Sequence, residues 1–156
     1  MRTENGFTLI ELMLVVALIA IIAGIGIPSF QSMILNSRLN SSANGILAAL
    51  QFARSEAVTQ RAVISVCPAN ADKTDCADST DWSTGVLIMK AAVKLREIPI
   101  TSTQITITGS LKKISYNPDG TTTAASFTVS DGKPQPRTRQ VKVNTIGQAC
   151  AGSTCS

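Results

Sequence analysis

Gly6-Phe7-Thr8-Leu9-Ile10-Glu11-Leu12-Met13-Leu14-Val15-Val16-Ala17-Leu18-Ile19-Ala20-Ile21-Ile22-Ala23-Gly24-Ile25-Gly26-Ile27-Pro28 is the stretch that decides the fold. A run of about twenty apolar residues is long enough to cross a bilayer as one helix. It carries a single charge, Glu11. An ionisable group inside such a segment is expensive and marks a functional site by default. A secretory signal places its small-residue cleavage site after the apolar core. Here the small residue, Gly6, precedes the core, so cleavage there leaves the apolar segment on the mature chain.

Helical spacing continues past Pro28. Leu35, Leu39, Ala43, Ile46/Leu47, Leu50, Ala53 and Ala57 recur at intervals of three and four, the mark of one buried helix face. The sequence therefore predicts one helix over 7–61, with an apolar half and an amphipathic half. Pro28 removes one helical hydrogen bond and crowds the carbonyl of Gly24. With Gly26 between them, these residues predict a kink or local loosening. Beyond Arg61 the pattern changes to short strands at 62–67, 85–90, 93–98, 104–108, 113–116, 126–129 and 139–144, separated by turn signals such as Asn117-Pro118-Asp119-Gly120 and Asp131-Gly132. The expected fold is α+β, a long helix packed on an antiparallel sheet or small sandwich.

Composition narrows the chemistry. There is no histidine, which removes the commonest general base and metal ligand. No nucleophile motif or paired-carboxylate constellation replaces it, so the sequence gives no support for an enzyme. Four cysteines form two close pairs, Cys67/Cys76 and Cys150/Cys155. Three connectivities are open, and the short spacings favour the local one, Cys67 with Cys76 and Cys150 with Cys155, in an oxidising compartment. Asp72, Asp75, Asp78 and Asp81 surround Cys76. Their spacing does not match a calcium-binding EF-hand loop, and the stretch reads as an acidic, disulfide-closed surface loop. No metal or cofactor is expected. The net charge is +4, with Lys133, Arg137, Arg139 and Lys142 gathered in the acid-free C-terminal part.

The Gly6-Phe7-Thr8-Leu9-Ile10-Glu11 junction resembles the class III leader of type IV pilins and type II secretion pseudopilins. The resemblance implies cleavage by prepilin peptidase after Gly6 and N-methylation of Phe7. It also implies docking of Glu11 on the Phe7 amine of a neighbouring subunit. Residues 1–6 are then a leader, 7–33 the transmembrane and assembly half of the helix, and 34–156 a periplasmic globular domain. Phe52-Ala53-Arg54-Ser55-Glu56-Ala57, Trp82-Ser83-Thr84-Gly85 and Ile114-Ser115-Tyr116-Asn117-Pro118-Asp119-Gly120 sharpen it toward the GspH/FimT branch, with its FimU-type minor pilins. Trp82 alone reads as core. The implied partners are other minor and major pilins or pseudopilins, the prepilin peptidase/N-methyltransferase, the inner-membrane assembly platform and, before assembly, the lipid bilayer. In DNA-uptake members the branch ends in Gly-Arg-x-Arg. Here Gly147 is kept, but Gln148 and Cys150 replace the arginines. Weak phosphate contact by Lys133, Arg137, Arg139 and Lys142 remains an alternative. A solvated basic face is the commoner meaning of such a cluster.

Overall fold

Arg61 ends the predicted helix. Its φ of 47° is left-handed, and the Ala62 N–H donates to the Ala57 carbonyl at 3.2 Å. This is a Schellman stop built on a non-glycine residue. The structure, a computed structural model, describes residues 8–100 and 104–152. Helix α1 spans Leu9–Gln60 without interruption. The helix runs on through Gly24, Gly26 and Pro28, where loosening is expected.

The chain divides into two units, 1–35 and 36–156. In the first, Leu9, Ile10, Leu12, Met13, Leu14 and Ile22 of α1 are all exposed. In the second, Leu39, Ala43, Ile46, Leu50, Ala53 and Ala57 are buried as the spacing predicts. Ala49 joins them and Leu47 turns partly outward, because the true helical period places position 49 nearer the centre of the stripe.

Among the described residues eight strands follow: β1 Ile64–Pro68, β2 Val86–Lys90, β3 Val93–Ile98, β4 Thr106–Gly109, β5 Ile114–Tyr116, β6 Ala125–Ser130, β7 Thr138–Val143 and β8 Ala149–Ala151. They form two four-stranded sheets, ordered β3-β2-β1-β5 and β4-β6-β7-β8, and every pairing is antiparallel. Of the expected alternatives, one antiparallel sheet or a small sandwich, the chain forms two sheets. The strand spacing gave no sign of where pairing switches, since β4 pairs with β6 across the intervening β5.

β8 lies beyond the last strand that the sequence predicts. The Ala-Cys-Ala segment carries no strand signal and reads as loop. It pairs with β7 because Asn144 closes the turn before it. The Gln148 N–H donates to Asn144 Oδ1 at 2.8 Å, and the Gly147 N–H to the Asn144 carbonyl at 3.0 Å.

The first sheet is buried on both faces at its centre. Ile64, Val66, Val86 and Ile88 share one face with Ile98, whose Cγ2 lies 3.5 Å from a Cβ position at Gly45 of α1. On the opposite face Cys67, Leu87 and Met89 form a separate small core with Ala69 and Cys76. This explains the unbroken apolar run of β2. The second sheet alternates strictly: Phe127, Val129, Val141 and Val143 point inward, and Ser126, Thr128, Gln140 and Lys142 outward. Trp82 is fully buried. Its ring meets Phe127 edge to face at 4.8 Å between centroids, and its Nε1–H donates to the Leu111 carbonyl at 3.2 Å. It is core, as the sequence reads.

Candidate assembly sites

Thr8 is the N-cap of α1. Its Oγ1 accepts the Glu11 N–H at 3.3 Å, and its carbonyl accepts the Leu12 N–H at 3.2 Å. Thr8-x-x-Glu11 is a capping-box pattern, a signal the sequence itself carries inside the leader motif. It fixes the start of the helix at Thr8 and puts Glu11 in the first turn, where the macrodipole favours a negative charge. The Glu11 side chain is exposed amid exposed Leu9, Ile10, Leu12 and Met13. Such a surface is stable only in lipid or among other apolar helices. Gly6 and Phe7 lie outside the described residues.

The acidic loop is closed by a Cys67–Cys76 disulfide, with 5.5 Å between the Cα atoms. Asn70 organises its turn, Oδ1 accepting the Thr74 and Asp75 N–H groups at 2.9 and 3.3 Å. Lys73 reaches Glu97 of β3 at 3.3 Å. Lys94 donates to the Lys73 carbonyl at 2.9 Å and pairs with Glu97 at 3.3 Å. These bonds, the one from Lys94 foremost, hold the Glu97 carboxyl below the ordinary carboxylate range. The four aspartates do not converge. Asp75 and Asp81 accept local backbone N–H groups and Asp78 pairs with Lys112 at 3.0 Å. Among the described residues no group of acids, histidines or cysteines is arranged to hold a metal ion. Cys150 is disulfide-bonded, and its expected partner, Cys155, lies outside the described residues.

The sequence-predicted basic cluster is dispersed. Arg139 and Lys142 are three apart on β7, so they project to opposite faces of the sheet. Arg139 turns inward, Nε donating to Asn40 Oδ1 of α1 at 2.9 Å. Lys142 stands outward opposite Ser126 and Cys150. Lys133 and Arg137 belong to the β6–β7 turn, whose backbone N–H groups donate to buried Asp131.

A different arginine organises the C-terminal motif, and sequence reasoning passed over it. Arg54 Nη2 donates to the Ile146 carbonyl at 2.9 Å. Its guanidinium lies against Gly120 and Gly147, both at positive φ, 80° and 79°. A Cβ on Gly147 would stand 2.0 Å from the Gly120 carbonyl oxygen. Three separate motifs, around Arg54, Gly120 and Gly147, therefore meet at one clasp. Tyr116 is fully buried, its hydroxyl without a partner among the described residues, and burial pushes that hydroxyl up to about 12 against the opposing pull of Arg54.

The sequence profile of the family described as type II transport protein GspH matches residues 42–147, the whole of this clasp and most of both sheets. The chain belongs to the GspH family. The prokaryotic N-terminal methylation motif matches residues 1–27. Among solved structures, the type IV minor pilin FimU of Pseudomonas aeruginosa superposes with a TM-score of 0.60 at 26% identity, covering 78% of this chain and 97% of that one. A second crystal form of FimU gives 0.57 at 27% identity, over 72% and 91%. Fimbrial protein EcpC of Eikenella corrodens is 42% identical over 43 residues, 28% of each chain. A fimbrial protein of P. aeruginosa is 35% identical over 65 residues, 42% of each. The chain thus spans less than half the length of the curated relatives it matches.

GspH-family membership and the likeness to FimU make this a minor-pilin-like subunit with a long helix packed on antiparallel sheets. Family and fold are those of structural pilins. The methylation motif and exposed apolar helix fit membrane anchoring and incorporation into a pilus. They also fit contact with other pilins and with the prepilin peptidase. For this GspH-family chain, Gly147 serves the Arg54 clasp, a role that does not depend on the arginines missing after it.

Proposed function

We propose that the chain is a minor pilin made as a prepilin, cut between Gly6 and Phe7, and N-methylated on Phe7. Residues 7–33 hold it in the inner membrane with 34–156 in the periplasm, and the assembly platform then draws it into a fibre near the tip. There it primes or joins assembly. The observation that carries the reading is a capped helix whose apolar surface is exposed all round and bears one acid, Glu11, in its first turn.

The physical logic is a transfer between two apolar surroundings. Lipid and a bundle of pilin helices are equally apolar, so the trunk loses little by exchanging one for the other. Glu11 breaks the tie. Alone in lipid it costs a few kcal/mol; beside the Phe7 amine of a neighbour its charge is neutralised. Nothing of the unit crowds Gly24 or Gly26 within 4 Å, so another helix can approach closely there, and Pro28 allows the helix to loosen as it packs. Phe7 and Glu11 are therefore the docking pair, and 24–28 the adjustable segment.

The likeness to FimU and the fimbrial relatives support a type IV pilus over a type II secretion pseudopilus. DNA capture has less support, because Arg139 and Lys142 face opposite ways. The proposal assigns the chain no reaction and no cofactor. Deletion tests it: loss of surface fibres and twitching, restored by the intact gene but not by Glu11→Ala, is the expected result. Normal fibres and normal exoprotein release in the deletion strain contradict it.

A further inference from the structure

β8 is an edge strand, and among the described residues no strand pairs with its outer side. The Gly152 N–H donates to the Gln140 carbonyl and the Asn144 N–H to that of Gln148, at 2.9 and 3.1 Å. These bonds flank the Lys142–Cys150 pair two residues away on either side, so that pair too is the hydrogen-bonded kind and Cys150 faces β7. The N–H and C=O groups of Ala149 and Ala151 then point away from the sheet. Beside them runs a groove of about 670 Å³ between α1 and the strand, lined by Gln51, Ser55, Val58, Gly147 and Ala149. It exists because Gly147, Ala149, Ala151 and Gly152 carry almost no side chain on this border. A second groove lies at the other end of the strand, lined by Asn40, Asn44 and Ala151.

The charges of the two grooves agree. Arg54 lines the Gly147 end and Arg139 the Gly152 end. Both donate to neutral oxygens, those of Ile146, Asn40 and Thr138, and neither pairs with an acid among the described residues. No acid lines either groove among those residues. From Gly147 to Gly152 an extended chain covers about 17 Å.

We propose that the open edge of β8 and this groove form a slot for an extended acidic segment of a neighbouring fibre subunit. The segment adds as a fifth strand beyond β8. Its backbone bonds to Ala149 and Ala151, and two acids four residues apart on one face reach Arg54 and Arg139. Only the source of the segment rests on the fibre-subunit reading; the slot itself does not.

The test uses the full chain in detergent micelles with a capped nine-residue peptide of alternating valine and threonine, glutamate occupying two same-face positions four apart. Amide hydrogen exchange is read by NMR. The peptide is expected to slow exchange at Ala149 and Ala151 by about tenfold or more. Arg139→Gln should weaken its binding about two- to fivefold, and Ala151→Pro should abolish it. No slowing, equal slowing by a glutamine-substituted peptide, or the same protection by duplex DNA would overturn the slot. In cells, a photo-crosslinker at Ala151 should map to an acidic extended segment of a co-assembled pilin; mapping to a helix or to a non-pilin protein overturns the assignment of the partner. A processed, methylated Phe7 in the same cells keeps a failure of the slot distinct from a failure of the subunit reading.

Discussion

Gly147 illustrates how a single residue carries a motif. Its positive φ alone costs a substituted residue about 1–2 kcal/mol, and the carbonyl of Gly120 occupies the space a Cβ needs. Gly147→Ala should therefore destabilise the 36–156 unit by about 3 kcal/mol or more. Gly132→Ala, at φ 63° with nothing within 4 Å, should lose only the backbone cost of about 1 kcal/mol; thermal melts of the two variants check the difference. Tyr116 gives a second prediction at this scale. It is the sole tyrosine, so its ionisation is read directly from tyrosinate absorbance. With the hydroxyl raised from 10 to about 12, its neutral form stabilises the fold fully below pH 10. That contribution is lost as pH rises through about 12. Tyr116→Phe should abolish the alkaline loss and leave neutral-pH stability within about 1 kcal/mol, because the hydroxyl it removes has no partner. At this scale the sequence was half legible. Glu11 and Trp82 stood out by being unlike their neighbours. Arg54 did not, since a cation on a helix reads as solvated until the glycines it touches are known.

Among the elements, α1 was the most legible because its apolar period persists over many turns and its C-terminal stop is local. The strands were found with ends shifted by one or two residues, as Thr106–Gly109 against an expected 104–108. Their sorting into two sheets was not readable, because pairing of β4 with β6 is a long-range event. β8 escaped because its strand state comes from the Asn144 turn and from β7 rather than from its own residues. The disulfide loop sits between these cases: the Cys67 and Cys76 spacing suggested it, but the small core it covers, Leu87 and Met89, was invisible. Replacing both cysteines by serine should cost about 2–3 kcal/mol from the freed loop. It should also raise amide exchange across 69–76 while the α1 face stays protected. Unchanged stability and exchange would mean that the Lys73, Lys94 and Glu97 contacts suffice.

The whole molecule joins two different behaviours in one chain. Residues 36–156 fold around their own core, while the first half of α1 waits for an apolar environment. Glu11→Gln should leave the melting of the 36–156 unit unchanged, yet reduce recovery of the chain in sheared fibres by about tenfold, a loss near 1.4 kcal/mol at the docking pair. Equal recovery of the variant would remove Glu11 from assembly. All of this presupposes the processing step that exposes the Phe7 amine. The most direct measurement is the intact mass and N-terminal sequence of the chain extracted from cells with active prepilin peptidase. The account predicts a mature chain beginning at N-methylated Phe7, and the unprocessed form when the peptidase is deleted. A chain that still begins at Met1 in the presence of the peptidase, or one cut beyond the apolar run, would contradict it.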